Sequence, residues 1–142
     1  MKIKNIMTKN VEIVQAGDPI QKAAKKMLRR DVGALPVFSN GRLAGVVTDR
    51  DITVKAVAKG LNLSKAKVEA VMTRRAQCCQ ENETVEKAVK AMERKKIRRL
   101  LVVDPEHRLA GIVSLADLAL RTHKARLVEE VVEKICKPGH AK

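Results

Sequence analysis

The sequence predicts a mixed α/β fold built from two tandem copies of one small βαββα unit. Three observations lead to this prediction. An apolar pattern recurs along the chain at a nearly constant offset, each copy contains one stripe of helical period, and each copy contains two short apolar runs joined by a turn. The chain has 142 residues, of which 45% are hydrophobic. That composition supports a folded core and argues against a disordered chain.

The repeat is the strongest signal in the sequence. Ile3 recurs as Val68, an offset of 65, and Gly45 recurs as Gly111, an offset of 66. The offset changes only inside the turn that joins the two apolar runs, which is one residue longer in the second copy. A register that shifts only in a predicted turn indicates an internal duplication.

One amphipathic helix is predicted near the start of each copy. Asp18-Pro19 suggests an N-cap followed by the first helical residue, and Thr84 occupies the equivalent start in the second copy. The stripe follows the spacing i, i+3, i+4, i+7. Its members are Ile20, Ala23, Ala24, Met27 and Leu28 in the first copy, and Val85, Ala88, Val89 and Met92 in the second.

Two buried strands and a second helix follow in each copy. The strands are predicted at 34–38 and 43–47 in the first copy, and at 100–103 and 109–113 in the second. The second helices begin near Thr48 and Ser114. A last amphipathic helix is predicted over 123–136, ended by Pro138-Gly139.

These elements predict three segments: unit 1 over residues 1–66, unit 2 over 67–124, and a C-terminal amphipathic helix and tail over 125–142. One copy of about 60 residues buries too little surface by itself, so we expect the two copies to pack together. The apolar faces that remain suggest a homodimer.

Charge and composition narrow the class of protein. No apolar stretch reaches the roughly 18 residues of a membrane span, and no secretory signal is apparent, so we expect a soluble cytoplasmic protein. Three cysteines, two of them adjacent, do not suggest a disulfide framework. A net charge of +14 favours partners that carry phosphate.

Several segments resemble the cystathionine-β-synthase (CBS) domain. They are 33–37 (GALPV) and 45–52 (GVVTDRDI) in the first copy, and 99–104 (RLLVVD) and 111–118 (GIVSLADL) in the second. Two such domains in tandem resemble a stand-alone Bateman module. The resemblance implies two units related by a pseudo-twofold axis, with two clefts, and a disk-like dimer. It also implies a regulatory role in which AMP, ADP, ATP or S-adenosylmethionine is bound as a report of metabolic state.

The central site residues follow a hydroxyl–x–x–carboxylate pattern at the start of each second helix: Thr48 with Asp51, and Ser114 with Asp117. One interpretation is a capping box, in which the hydroxyl and the carboxylate satisfy free backbone N–H groups. The resemblance implies a second role, in which the aspartate accepts hydrogen bonds from the ribose hydroxyls and the helix N-terminus faces phosphate.

The resemblance also assigns the remaining nucleotide-binding residues. The cleft closed by Asp117 takes Val11, Val32, Gly33 and Ala34, with Ile112 as a wall, and the cleft closed by Asp51 takes Ala76, Ile97, Arg98 and Arg99, with Val46 as a wall. Arg98-Arg99 replaces Gly33-Ala34 of the first copy. These arginines either fill the cleft or bind phosphate; their planar, bidentate geometry favours phosphate, so we expect unequal sites.

Three alternatives remain open from the sequence. The basic run 94–99 could bind RNA or DNA, although the chain has no Tyr or Trp for stacking on bases. Cys136 and His140 have the spacing of half a zinc site, but no CxxC pair completes it, so no metal or other cofactor is expected. No P-loop and no nucleophile with an adjacent base is present, so we do not expect an enzyme.

Overall fold

The structure is a computed structural model that describes residues 1–137. Its seven strands and five helices follow the predicted order in both copies. The elements are β1 (Val14–Gln15), α1 (Ile20–Arg30), β2 (Ala34–Ser39), β3 (Arg42–Thr48), α2 (Asp49–Ile52), β4 (Thr73–Arg74), β5 (Cys78–Gln80), α3 (Val85–Lys95), β6 (Arg99–Val103), β7 (Leu109–Ser114), α4 (Leu115–Arg121) and α5 (Ala125–Cys136).

The elements form two compact units that do not coincide with the predicted boundaries at 66/67 and 124/125. The contiguous unit is Val11–Ala76, and the split unit combines Met1–Asn10 with the chain from Gln77 onward. The predicted boundaries followed the repeat, whereas the packing assigns the first ten residues to the core built by the second copy. Helix α5 belongs to the split unit and is not a separate tail.

The contiguous unit is built on a sheet with the order β1-β2-β3-β4. Strand β1 runs parallel to β2, and β2, β3 and β4 are antiparallel neighbours. The β2–β3 turn places Asn40 at φ 53° and Gly41 at φ 76°, the left-handed conformation that a tight hairpin requires. The sheet and α1 enclose a core that includes Ile20, Leu35 and Val47, all fully buried.

The split unit has a sheet with the order β5-β6-β7, covered by α3, α4 and α5. Its first segment is held by backbone hydrogen bonds: Ile3 N donates to Glu83 O at 2.9 Å, and Thr8 and Ile112 exchange a pair at 2.8 and 3.1 Å. Ile3, Ile6 and Met7 are buried in the core beside Val131 and Ile135 of α5.

Two details of the first helix differ from the sequence prediction. Asp18 does not cap α1: its Oδ2 accepts a hydrogen bond from Gln15 N at 2.9 Å, and Pro19 lies just before the helix. Asp18 therefore closes the preceding turn. Leu28 was predicted on the buried stripe but is 83% exposed, because the face that packs on the sheet is completed by Ile20, Ala23 and Met27.

Candidate functional site

Helix α2 of the contiguous unit begins with a complete capping box. Asp51 N donates to Thr48 Oγ1 at 3.0 Å, and Thr48 N donates to Asp51 Oδ2 at 3.0 Å. The first N–H groups of a helix have no partner within the helix, and here the Thr48 side chain accepts one of them while the Asp51 side chain accepts the N–H of Thr48 itself. The capping interpretation of this pair is therefore confirmed.

Asp51 has a second contact, made by its other oxygen. Lys55, one helical turn further on, places Nζ 3.1 Å from Asp51 Oδ1 and 3.4 Å from the carbonyl oxygen of Val71. Asp51 is 9% exposed. The carboxylate thus uses Oδ2 for the cap and Oδ1 for a half-buried cation.

The split unit repeats this arrangement at Ser114 and Asp117. Ser114 N donates to Asp117 Oδ2 at 2.9 Å, and Asp117 N donates to Ser114 Oγ at 3.2 Å. Asp117 is 7% exposed. Its Oδ1 accepts a hydrogen bond from Thr8 Oγ1 at 3.1 Å. Residue 8, which precedes β1, therefore contacts the carboxylate that caps the start of α4.

Arg121 stands where Lys55 stands in the other unit. Its Nη1 donates to the carbonyl oxygens of Ile6 and Met7, each at 3.1 Å, and its Nε lies 3.9 Å from Asp117 Oδ1. The guanidinium is held mainly by the backbone, with the carboxylate at the limit of an ion pair.

Lys55, Arg121 and Thr8 were not among the predicted site residues. The spacing i, i+4 from each aspartate could have indicated Lys55 and Arg121, since residues one turn apart are neighbours on a helix. No local pattern indicates Thr8, because 109 residues separate it from Asp117.

The residues just before β2 and β6 lie beside the helix cap of their own unit. Asp49 N donates to Gly33 O at 2.9 Å, and Ala34 is the strand partner of Thr48. In the split unit, Leu115 N donates to Arg98 O at 3.1 Å, and Arg99 is the strand partner of Ser114. Within a unit, the structure therefore brings Gly33-Ala34 to Thr48, and Arg98-Arg99 to Ser114.

The other predicted site residues occupy strand and loop positions. In the contiguous unit, Val46 pairs with Thr73, and Val32 is 42% exposed ahead of β2. In the split unit, Ile112 pairs with Leu101. The half-buried members of the set are Val11, Val46 and Ala76 in the contiguous unit, and Ile97 and Ile112 in the split unit.

The cysteines provide no metal cluster. Among residues 1–137, no group of three or more His, Cys, Asp or Glu side chains is placed to hold an ion, and His140 lies outside the described residues, as does Pro138-Gly139. Burial, with Glu83 and Cys78 nearby, raises the pKa of the Cys79 thiol to about 12. Burial also raises the pKa of Cys78. Neither thiol is activated as a nucleophile or ligand.

No helix within residues 1–137 is both long enough and apolar enough to cross a lipid bilayer.

Comparison with known proteins identifies the repeat. The family model described as "CBS domain" matches residues 3–57 and 68–123. The chain is 39% identical over 118 residues to CBS domain-containing protein YhcV of Bacillus subtilis, which covers 83% of each chain. It is 34% identical to Hypoxic response protein 1 of Mycobacterium tuberculosis, over 95% of this chain and 94% of that protein.

Solved structures agree with the fold. A crystal structure of Hypoxic Response Protein I with two coordinated zinc ions has a TM-score of 0.75 at 34% identity, over 84% of this chain and 97% of that one. The CBS domain pair of protein MJ0100, in complex with 5-methylthioadenosine and S-adenosyl-L-methionine, has a TM-score of 0.73 at 30% identity, over 84% of this chain and 93% of that one.

Some relatives are enzymes that the chain matches only in part. It is 37% identical to homoserine O-acetyltransferase of Methanosarcina acetivorans over 79% of this chain, but it spans only 20% of that protein. The matched part is the CBS part of the enzyme, so the similarity transfers no acetyltransferase chemistry.

Proposed function

This chain belongs to the CBS-domain family as a regulatory pair of such domains, and on that premise we propose that it binds an adenosine-containing ligand and signals in trans. The ligand is AMP, ADP, ATP or S-adenosylmethionine, and the chain itself catalyses no reaction. Binding stabilises one conformation over another, and a partner protein responds to that change; such coupling requires only a few kcal/mol of differential affinity.

One observation carries the proposal: each unit buries an aspartate that uses one oxygen for the helix cap. In both Asp51 and Asp117 the bond to the capped backbone goes to Oδ2, while Oδ1 faces a cation. An ionised carboxylate oxygen accepts more than one hydrogen bond. Oδ1 already receives Thr8 Oγ1 in Asp117 and Lys55 Nζ in Asp51, so it has one acceptor position left for a ribose O–H group while the cap stays intact.

The ligands of a similar protein support the adenosine assignment. The MJ0100 pair was crystallised with 5-methylthioadenosine and S-adenosyl-L-methionine. These two molecules share an adenosine group with a vicinal diol and differ in what the 5′ carbon carries. The diol is thus the feature that a carboxylate in a CBS pair would recognise in either ligand.

The proposal is tested by calorimetric titration with adenosine, 2′-deoxyadenosine, AMP, ADP, ATP, S-adenosylmethionine and GTP. We expect the adenine ribonucleosides to bind and 2′-deoxyadenosine to bind more weakly. We expect Asp117→Asn or Asp51→Asn to weaken adenosine by about tenfold or more, the value of one charge-assisted hydrogen bond. Asparagine keeps an acceptor for the cap but removes the Oδ1 acceptor of Thr8 in Asp117 and the ion pair with Lys55 in Asp51, so we expect the variants to fold with a melting temperature lowered by a few degrees.

The matched controls are Ser114→Ala and Thr48→Ala, which remove the cap hydroxyl and keep the carboxylate. If the alanine variants weaken adenosine as much as the asparagine variants do, the aspartates serve only the cap. If no adenine compound binds the wild type, the proposal fails. If a short RNA stabilises the protein as well as every nucleotide does, and salt abolishes all of it, the nucleic-acid alternative replaces it.

The other residues assigned from the sequence stay predictions. Replacing Arg98 and Arg99 by Gln should weaken AMP more than adenosine, because only AMP offers a phosphate to a guanidinium. The homodimer and the cytoplasmic location also stay predictions. Light scattering after gel filtration tests the dimer directly.

A further inference from the structure

A basic groove lies on the split unit, next to the Asp117 carboxylate. It is an open groove of about 500 Å³, lined by Lys4, Asn5, Met7, Thr8, Lys9 and Arg121. Three of these six side chains are cations and none is acidic. The groove thus brings three positive charges from two distant parts of the sequence to one concave surface.

The guanidinium in this groove is fixed in position. Arg121 Nη1 donates to the carbonyl oxygens of Ile6 and Met7, each at 3.1 Å. Within residues 1–137, the Nη2 group of Arg121 has no hydrogen-bond partner. Two N–H donors of a preorganised guanidinium are therefore available to an anion.

The two lysines carry charges that no carboxylate neutralises in the described part of the chain. Neither Lys4 nor Lys9 forms an ion pair there. The backbone around Lys4 is fixed to the rest of the split unit, because Lys4 N donates to Glu81 O at 2.9 Å and the neighbouring Ile3 and Ile6 are buried. The backbone is ordered while the ammonium groups remain free to bind.

The repeat supplies an internal comparison. The residues of the contiguous unit that correspond to Lys4, Lys9 and Arg121 are Glu69, Arg74 and Lys55. Glu69 is acidic, and Lys55 lies 3.1 Å from Asp51, closer than the 3.9 Å between Arg121 and Asp117. The formal charge of the three positions is +3 in the split unit and +1 in the contiguous unit. The basic groove is thus a property of one unit only.

We propose that this groove is a binding site for the phosphate groups of a small polyphosphate. The Arg121 guanidinium provides directed N–H donors, and Lys4 and Lys9 provide compact charges that neutralise the oxygens. The phosphates come either from a free inorganic polyphosphate or from the phosphate tail of a nucleotide. The proposal does not depend on recognition of adenosine.

The test is calorimetric titration of the full chain with sodium tripolyphosphate at constant ionic strength, compared with ATP and adenosine. We expect tripolyphosphate to bind the wild type, and Lys4→Glu to weaken it by about fivefold or more, since reversing one contact charge changes binding by about 1 kcal/mol. Lys9→Glu should act in the same direction. Melting curves verify that both variants fold.

Lys25→Glu is the matched control, because it makes the same change of net charge at a lysine of α1 that is exposed and forms no ion pair within residues 1–137. If Lys25→Glu weakens tripolyphosphate as much as Lys4→Glu does, the binding reflects overall charge and the groove is overturned as a site. Glu69→Lys gives the contiguous unit the charge that it lacks. We expect Glu69→Lys to change the affinity for tripolyphosphate by less than twofold once the general effect of net charge, measured with Lys25→Glu, is subtracted. A larger gain would mean that tripolyphosphate binds outside the groove.

Adenosine separates this proposal from the proposed function. Adenosine has no phosphate, so we expect Lys4→Glu to leave its affinity unchanged. If tripolyphosphate binds in a Lys4-dependent way and adenosine does not bind, the groove stands and the adenosine proposal fails. If ATP responds to Lys4→Glu and tripolyphosphate does not bind alone, the phosphates come from the nucleotide tail. If neither responds, the groove is not a phosphate site.

Discussion

Thr8 and Asp117, which are 109 residues apart in the sequence, are joined by a hydrogen bond of 3.1 Å from Thr8 Oγ1 to Asp117 Oδ1. This bond connects the first segment of the chain to the cap of α4. It has no counterpart in the contiguous unit within the described residues, where Thr73 holds the position equivalent to Thr8.

Thr8→Val should destabilise the protein by about 1 kcal/mol, because it removes a part-buried hydrogen bond to a charged acceptor while keeping the side-chain shape. Urea denaturation measures the change in the free energy of unfolding. Thr73→Val is the control and should change it by less than about 0.5 kcal/mol. Equal effects of the two substitutions would show that the hydrogen bond does not contribute.

Gly111→Ala and Gly45→Ala should each cost about 3 kcal/mol or more, because a methyl group would collide with backbone. A Cβ on Gly111 would lie 2.5 Å from Thr8 O, and one on Gly45 would overlap Thr73 O. These glycines let the neighbouring segments approach the strands closely. Thermal melts of the three variants measure the loss. Gly17→Ala is the control and should be nearly neutral, because no atom lies within 4 Å of the added carbon.

Ile135→Ala should destabilise the split unit by about 2–4 kcal/mol, the usual effect of emptying a buried position. Ile135 is 4% exposed and packs in the same core as Ile3 and Met92. Val132→Ala on the same helix is the control, since Val132 is 37% exposed and should lose less than about 1 kcal/mol. A small loss for Ile135→Ala would mean that α5 is dispensable for the core.

Cys79 should resist alkylation by iodoacetamide at pH 8, while Cys136, which is exposed, reacts readily. The thiolate is the reactive form, and the pKa of Cys79 is raised to about 12. Mass spectrometry of the peptides gives the order of labelling. Rapid labelling of Cys79 in the folded protein would contradict its burial.

The same thiol predicts how stability depends on pH. The pKa of Cys79 is about 12 in the folded protein, against an ordinary value of 9.0. Above pH 9 the unfolded chain releases this proton and the folded chain retains it, so the contribution of Cys79 to stability falls as pH rises towards 12. Urea denaturation at pH 8.5, 9.5 and 10.5 should show a steeper loss for the wild type than for Cys79→Ala.

The order of helices and strands was predictable because each element follows a local rule. The 3.6-residue stripe gave α1 and α3, and the two capping boxes gave the starts of α2 and α4. The prediction was wrong where two local rules compete. Aspartate is a favoured N-cap residue, but the Asp18 carboxylate accepts a hydrogen bond from Gln15 N in the preceding turn and does not cap α1.

The sequence could not predict which segments pack into which unit, because both copies of the repeat show the same apolar pattern. Ile3 and Val68 occupy the same position in the pattern, so periodicity cannot indicate which core each residue fills. Packing determines that Ile3 joins the split unit and Val68 the contiguous unit. The Thr8–Asp117 bond and the basic groove were missed for the same reason, since both depend on where residues 1–10 pack.

The split unit also imposes an order on biosynthesis. Residues 11–76 form one continuous stretch, so the contiguous unit can begin to fold once that stretch has left the ribosome. Residues 1–10 precede this stretch, but they can pack only after partners such as Val113, Leu118 and Val131, which follow it in the sequence, have also been made. Residues 1–10 therefore pack later than the contiguous unit that follows them, and the apolar side chains of Ile3, Ile6 and Met7 stay unburied until the second copy has been made.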